Sequence, residues 1–265
     1  MSVSANVSAR IGRSSTFWVV AWVVLCGCGE ADRTLSIATG GPAGLYYPFG
    51  GGMASVWSKQ LTEVNVKAEV TGGSITNVTQ VARMESDLGI AMADVTTDAF
   101  LGQGLFEQAL PLRVLFTAYP NIVHILTLED SGIAAVADLR GKRVALGAQG
   151  SGTAVAAANV LRGLGVELDD IAPRYLSFAA TTAALKDGTV DAGFIVGGLG
   201  IAAVTELAVT RSLRLLDLRD DELQQLINQF PAYSGYRIPA ATYNGVVNDT
   251  TALGIWSAVV VHENM

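Results

Sequence analysis

Short apolar runs alternate with segments of helical periodicity along most of this chain of 265 residues. The apolar runs predict strands at 35–38, 64–70, 88–91, 112–118, 123–128, 144–146, 175–178, 192–196 and 213–216, with a further strand-like run at 258–261. The periodic segments predict helices at 46–59, 74–84, 154–162, 179–186, 199–210 and 220–229. A chain that alternates strands and helices in this way is expected to form an α/β fold with mostly parallel sheets.

Three strand-to-helix turns share one composition, rich in Gly, Ser and Thr. They lie at 40–44, 71–74 and 147–153. In open α/β sheets ligands bind beyond the carboxyl ends of strands, and the unpaired amides at helix N-termini favour anions. A single turn of this kind is more often a helix cap. Three of them, spread over both halves of the chain, indicate a shared cleft for a small molecule.

Motifs for nucleotide binding and for catalysis are missing. The first turn has neither Gly-Lys-Ser/Thr nor the G-x-G-x-x-G spacing. The two histidines, His124 and His262, stand apart, and no His, Cys or carboxylate cluster has the spacing of a catalytic or metal site. His124 lies in an apolar run and is expected to be structural. The sequence therefore predicts a protein that is not an enzyme and that needs no metal or cofactor.

The first 27 residues have the pattern of an export signal. Arg10 and Arg13 precede an apolar run at 17–26, and the run leads into Cys28 through Leu-Cys-Gly-Cys. The run is shorter than the roughly 20 apolar residues of a spanning helix, and Leu-x-Gly-Cys resembles the bacterial lipobox. We predict cleavage after residue 27, lipidation of Cys28 and a periplasmic or cell-surface protein that is held to a membrane by its lipid only. An ordinary signal peptide is the alternative.

The charge balance argues against nucleic-acid partners. The net charge is −7, and removal of a signal with two arginines and no acid would make it −9. Lys and Arg are scattered, so no basic stripe is present. Because Cys26 and Cys28 are the only cysteines, the mature protein would contain no disulfide.

Several motifs, taken in order, resemble the TAXI family of solute receptors of TRAP transporters. They are IATGGPAGLYYP at 37–48, TGGSITN at 71–77, DLRGKRV at 138–144, GSGT at 150–153 and DGTVDA at 187–192. The resemblance covers about 34–261, nearly the whole mature chain. Asp-Leu-x-Gly-Lys-x-Val occurs in many binding proteins, so the resemblance depends on the order and spacing of the motifs.

This resemblance implies a type II periplasmic-binding-protein fold, in which two α/β lobes enclose an interlobe cleft. It places the first lobe at 28–123, the second at 124–218 and a return to the first lobe at 219–265. It also implies a monomeric receptor that captures a small carboxylate, such as glutamate, glutamine or a dicarboxylate, and delivers it to TRAP permease subunits. Family members usually continue for some tens of residues, so a truncated C-terminus is expected.

Ten residues are expected to bind the solute. Those in or beside the turns are Thr39, Gly40, Tyr46, Ser74, Asn77, Gln149, Ser151 and Thr153, whose hydroxyls and amides would hold a carboxylate. Asp94 or Tyr175 would face an amine or a hydroxyl of the solute, and capping of the following helix is the alternative role of Asp94. The arginine that pairs the ligand carboxylate in related DctP-type receptors has no clear counterpart here.

Other functions stay open on the sequence alone. One is a substrate-binding protein of an ABC importer, for a sulfonate, nitrate or thiamine-like solute. Another is a sensory binding module that presents the solute to a membrane partner. An exported enzyme on the same fold is disfavoured by the missing catalytic constellation.

Overall fold

The computed structural model describes residues 33–61 and 63–265. The helices are α1 Tyr46–Gln60, α2 Ser74–Ala82, α3 Ala93–Leu101, α4 Gly152–Gly163, α5 Phe178–Lys186, α6 Ala202–Thr210 and α7 Asp220–Gln229. The strands are β1 Arg33–Ala38, β2 Val64–Glu69, β3 Leu88–Met92, β4 Leu112–Leu128, β5 Arg143–Ala145, β6 Ala172–Arg174, β7 Ala192–Gly197, β8 Leu213–Leu215, β9 Tyr233–Ile238 and β10 Thr250–His262. The predicted signal peptide and Cys28 lie outside the described residues.

The strands form one ten-stranded mixed sheet. Its order is β2-β1-β3-β10-β4-β7-β5-β6, with β8 paired to β4 and β9 paired to β10. The pairs at the two ends of the sheet, β1 with β2 and β3 and β5 with β6 and β7, are parallel. The pairs in the middle are antiparallel because β4 and β10 run against their neighbours. The α/β class is therefore confirmed, whereas the expectation of mostly parallel sheets is wrong.

Two long central strands join the halves of the sheet. We call β1–β3 with α1–α3 the first half, and β5–β7 with α4–α6 the second half. Strand β4 pairs with β10 over residues 112–122 and with β7 over residues 122–127. The predicted lobe boundary between residues 123 and 124 falls inside this strand. The lobe limits stay a prediction, because the described chain forms one compact unit.

Strand β4 is continuous where the sequence predicts two strands separated by Tyr-Pro-Asn. Pro120 lacks an N–H group and would interrupt a regular ladder. The register between β10 and β4 shifts between Trp256 and Ala258, next to the position that faces Pro120. This irregularity accommodates the proline without ending the strand.

The prediction of a strand at 175–178 is also wrong. Strand β6 occupies Ala172–Arg174 instead, and Phe178 already belongs to α5. The reason is a helix cap: the side chain of Ser177 accepts a hydrogen bond from the amide of Ala180 at 3.3 Å. Strand β9 has no predicted counterpart, and β10 extends well beyond the predicted run at 258–261.

The glycines at 50–52 differ in their surroundings. A Cβ on Gly50 would lie 2.5 Å from Cγ2 of Thr39, so α1 approaches β1 closely at this point. A Cβ on Gly51 or Gly52 would meet nothing within 4 Å. Close packing therefore accounts for only one of the three helix glycines.

His124 is a fully buried structural residue, as the sequence predicts. Its Nδ1 lies 3.2 Å from the carbonyl oxygen of Ile195, which can only accept, so Nδ1 carries the proton. Its Nε2 then accepts a hydrogen bond from the hydroxyl of Tyr243 at 2.8 Å, and that hydroxyl accepts one from the amide of Gly200 at 3.1 Å. Burial lowers the pKa of His124 from 6.5 to about 4.

We expect His124 to make the protein less stable in acid. Between pH 6.5 and 4 the unfolded state binds a proton that the folded state does not, so the free energy of unfolding decreases as the pH is lowered through this window. The shift corresponds to about 3 kcal/mol. In chemical denaturation, the stability advantage of wild type over His124→Gln should shrink by about this amount from pH 7 to pH 4. A pH-independent difference would contradict the assignment.

Candidate functional site

A cavity of about 350 Å³ lies between the two halves of the sheet. Segments from both halves contribute to its wall. The lining residues are Gly40–Tyr46, Thr71–Ser74, Met92, Asn121, Ala148, Ser151–Thr153, Ser177–Ala179, Val196 and Gly197. All three turns that the sequence singles out border this cavity, and the turn before α5 is a fourth.

The first turn brings Tyr46 to the centre of the sheet. Its hydroxyl oxygen accepts hydrogen bonds from Nδ2 of Asn121 in β4 at 3.3 Å and from Oγ of Ser257 in β10 at 3.4 Å. Asn121 also donates to Ser257 Oγ at 2.7 Å. Burial raises the pKa of Tyr46 to about 12, so its hydroxyl stays protonated. Tyr46, which lines the cavity, therefore places a protonated hydroxyl beside Asn121, another lining residue.

The second turn holds the two halves together. Gly73 has φ +111°, and a Cβ there would lie 3.4 Å from Ser151, so glycine suits both the backbone and the close approach. The amides of Ile75 and Thr76 in α2 donate to the carbonyl oxygen of Gly150 at 3.1 and 3.3 Å. The first half thus hydrogen-bonds to the second across the cavity.

The third and fourth turns cap helices with serine. Ser151 caps α4 by accepting from the amide of Ala154 at 3.2 Å, as Ser177 caps α5. Each cap satisfies one amide and leaves the first two amides of its helix, such as those of Gly152 and Thr153, without an intrahelical acceptor. These amides point toward the helix N-terminus, where anions are favoured.

Thr153 adds an unpartnered hydroxyl to this wall. Its side chain is 3% exposed and lines the cavity. Its hydroxyl forms no hydrogen bond with any residue that the structure describes. Because this hydroxyl satisfies no described group of the protein, it is available to a ligand.

Five of the ten predicted ligand-binding residues line the cavity: Gly40, Tyr46, Ser74, Ser151 and Thr153. The other five do not. Thr39 donates to the carbonyl oxygen of Glu69 at 2.6 Å. Asn77 donates to the carbonyl oxygens of Thr39 and Ile90, both at 2.6 Å, so it fastens α2 to the sheet. Gln149 and Tyr175 are exposed, the latter by 52%.

Asp94 is the fifth, and it connects the halves instead of lining the cavity. Its Oδ2 accepts from the hydroxyl of Tyr233 in β9 at 3.1 Å, and Asn159 of α4 donates to that same hydroxyl at 2.8 Å. Its Oδ1 accepts from the amide of Val95 at 2.8 Å, within the first turn of α3. Burial raises the pKa of Asp94 from 3.8 to about 6.

We expect Asp94→Asn to gain stability relative to wild type as pH rises. Below pH 3.8 Asp94 is protonated in the folded and the unfolded protein, and its burial costs the wild type little. Between pH 3.8 and 6 its carboxyl group ionises only in the unfolded protein, so the free energy of unfolding of wild type decreases as the pH rises. The difference in free energy of unfolding, variant minus wild type, should rise by about 3 kcal/mol from pH 3 to pH 7. If this difference, measured by chemical denaturation, did not change with pH, the pKa of Asp94 would not be raised by burial.

The lining includes residues that the sequence analysis missed. Ser177 and Phe178 could have been found, because a serine before a helical segment is a cap signal. Asn121 could not, since it lies inside β4 and reaches the cavity only through the strand register. Phe178 packs near Gly44 of the first turn, where a Cβ would lie 3.4 Å from its ring.

The wall of the cavity carries no charged side chain. None of the described residues that line it is Asp, Glu, Lys, Arg or His. The described residues also contain no group of three or more His, Cys, Asp or Glu side chains placed to hold a metal ion. Among the helices of the described part, none is long and apolar enough to cross a membrane.

Comparisons with solved structures show the fold of periplasmic binding proteins. The alkanesulfonate-binding protein SsuA from Xanthomonas axonopodis pv. citri, bound to MOPS, is 19% identical with a TM-score of 0.52, over 85% of this chain and 65% of that one. A binding protein component of an ABC phosphonate transporter from Pseudomonas aeruginosa is 11% identical with a TM-score of 0.53, over 88% and 70%.

Comparisons of the sequence show the family to which the chain belongs. A protein of Escherichia coli (strain K12) described as an aliphatic sulfonates-binding protein is 41% identical over 92 residues, which span 33% of this chain and 28% of that protein. This chain thus spans less than two thirds of the E. coli and Xanthomonas relatives. The profile of the NMT1-like family matches residues 37–265, almost the whole described chain. The chain therefore belongs to the NMT1-like family.

Proposed function

We propose that this protein is an extracytoplasmic solute-binding protein that captures a small organic anion for an ABC importer, with an aliphatic sulfonate as the first candidate. The observation that carries the proposal is the cavity between the two halves, which is bordered by the N-termini of four helices. A binding protein of this fold closes around its solute by a hinge movement.

The anion is inferred from the donors in the wall. The first residues of α4 and α5, which carry free amides, and the hydroxyl-bearing Tyr46 and Thr153 all line the cavity. They supply hydrogen bonds to a sulfonate without a positive side chain, in the manner of other anion sites at helix N-termini.

An apolar tail is inferred from the rest of the wall. Pro42, Leu45, Met92, Phe178 and Val196 supply apolar surface to the wall beside the polar groups of the turns. A volume of about 350 Å³ lies at the lower end of the range for small-molecule sites. A short alkyl chain with one anionic head group fits both the size and the polarity.

The relatives support an ABC importer more than a TRAP permease. The E. coli and Xanthomonas proteins are named for sulfonates, and the Pseudomonas protein is a component of an ABC transporter. The comparisons thus favour the ABC alternative over the TAXI assignment and its carboxylate solute. A gene for an ATPase next to the gene of this protein would agree with the proposal, whereas a gene for a large fused permease would favour TRAP.

Ligand-dependent stabilisation tests the proposed solute. A ligand that binds only the folded state raises its stability by RT ln(1 + [L]/Kd), about 2.7 kcal/mol at 100 times Kd. We expect thermal unfolding to shift upward with ethanesulfonate, propanesulfonate or butanesulfonate in a buffer free of sulfonates. Stabilisation by glutamate or a dicarboxylate but by no sulfonate would overturn the sulfonate assignment.

Export and lipid attachment are part of the proposal and rest on the N-terminal sequence. The chain should incorporate labelled palmitate in a bacterial host, and Cys28→Ser should abolish the label. Incorporation that is unchanged in the variant would reject Cys28 as the lipidated residue.

A further inference from the structure

The absence of charge in the cavity wall limits the charge of the ligand. No lining residue is Lys, Arg or His, so backbone amides and hydroxyls must hold the anion. Each helix N-terminus contributes a partial charge of about +0.5. The positive potential of the site is therefore small and fixed by the fold.

Some of the helix N-terminal amides already donate hydrogen bonds within the protein. The amides of Ile75 and Thr76 in α2 donate to the carbonyl oxygen of Gly150 and do not face the cavity with free N–H groups. In α1 the third helical residue is Pro48, which has no N–H group, so α1 keeps only its first two amides, as α4 and α5 do. The partial charges of these three helix N-termini together, about +1.5, fall short of the two charges of a dianion.

The unpartnered hydroxyl of Thr153 marks where this charge would lie. Thr153 is 3% exposed as a residue, lines the cavity and belongs to the first turn of α4. An anion at the α4 N-terminus would thus receive a hydroxyl hydrogen bond together with the amides. This arrangement provides donors for one anionic group.

We propose that the cavity selects singly charged organic anions and rejects dianions. A second negative charge would lose its hydration without gaining a counterion, which is costly for a buried ion. The acidic chain, with a net charge of −7, adds to the repulsion. This inference rests on the proposed function, and it excludes the dicarboxylates among the solutes that the sequence resemblance implies.

The proposal predicts that the protonation state of the ligand governs binding. An alkanesulfonate has one charge at every pH between 5.5 and 8.5, whereas an alkylphosphonate changes from one charge to two within this range. The singly charged phosphonate should bind, and the doubly charged form should not. The titratable protein groups near the site are Tyr46 in the wall, Tyr119 beside it, and Asp94 and Asp98 in α3. Their ionisation affects the singly charged forms of both ligands alike.

Calorimetric titration of the purified full chain with ethanesulfonate and ethylphosphonate tests this directly. The buffer should be a cation, such as bis-Tris propane, because sulfonate buffers would compete. We expect the ratio of the two Kd values, phosphonate over sulfonate, to rise about tenfold per pH unit above the second ionisation of the phosphonate. A ratio that stays constant up to two pH units above this ionisation would overturn the selectivity while leaving the proposed function intact. Failure of both anions to bind would overturn the proposed function and this inference with it.

A charge introduced into the wall gives an independent check. Ala148 lines the cavity in the turn before α4. The Ala148→Lys variant should improve binding of the doubly charged phosphonate at pH 8.5 at least tenfold more than binding of ethanesulfonate. The Ala148→Gln variant, with an uncharged polar side chain, should leave the preference as in wild type. Equal changes for both ligands in Ala148→Lys would count against the proposal.

Discussion

The Gly152→Ala variant should bind an alkanesulfonate at least tenfold more weakly than wild type while keeping its fold. Gly152 is the first residue of α4 in the second half, and it faces α2 and β3 of the first half. A Cβ there would lie 2.6 Å from Oγ of Ser74 and 2.7 Å from Sδ of Met92. The added methyl group would therefore push the two halves apart.

The added methyl group should weaken ligand binding more than it lowers the stability of the fold. Ser74 is held in place because its Oγ accepts a hydrogen bond from the amide of Met92 at 3.1 Å. Overpacking of this kind costs typically 1–3 kcal/mol, and about 1.4 kcal/mol corresponds to a tenfold change in Kd. If the halves separate, the strain is relieved, but the amides of α2 lose their bonds to Gly150.

Gly51→Ala is the matched control. It is also a glycine-to-alanine change inside a helix, but a Cβ there would meet nothing within 4 Å. Helix propensity favours alanine by roughly 1 kcal/mol, so this variant should be as stable as wild type or more so, with an unchanged Kd. Wild-type affinity in Gly152→Ala, measured by calorimetry, would show that close contact of the halves is not needed for binding.

The Thr153→Val variant should also weaken sulfonate binding, by about tenfold or more. Valine keeps the shape of the side chain and removes only the hydroxyl that has no partner in the described chain. A hydrogen bond to a charged group is worth about 1.5–3 kcal/mol. Stability without ligand should change little, because the hydroxyl satisfies no other group of the protein.

Thr181→Val provides the control for this change. Thr181 is fully buried in α5, its hydroxyl has no hydrogen-bond partner among the described residues, and it does not line the cavity. Removing an unsatisfied buried hydroxyl should be neutral or stabilise the fold by about 1 kcal/mol. Its Kd should equal that of wild type. Equal affinity losses in Thr153→Val and Thr181→Val would mean that the effect comes from packing and not from a contact with the ligand.

The sequence was sufficient to predict the turns of the site, because turn chemistry is local. Gly, Ser and Thr between a strand and a helix act through caps and close backbone approach, which depend on few neighbours. Ser74, Ser151 and Thr153 were found in this way. Asn121 was missed because a polar residue in an apolar strand gives no sign of which face it takes until the register is known.

The misplaced residues show the opposite problem. Asn77 and Asp94 have the chemistry of ligand contacts and lie near the right turns. Their partners, the carbonyl oxygens of Thr39 and Ile90 for Asn77 and the hydroxyl of Tyr233 for Asp94, come from other parts of the chain. Only tertiary structure shows that these side chains are already satisfied.

A crystal structure of the protein with bromoethanesulfonate tests the central claim most directly. The bromine can be located by its anomalous scattering, so the orientation of the ligand is unambiguous. We expect the sulfonate oxygens to accept hydrogen bonds from the first amides of α4 and from the hydroxyl of Thr153, with the bromine against the apolar side of the cavity. A bromine signal at the α4 N-terminus, or a ligand bound outside the cavity, would contradict the account.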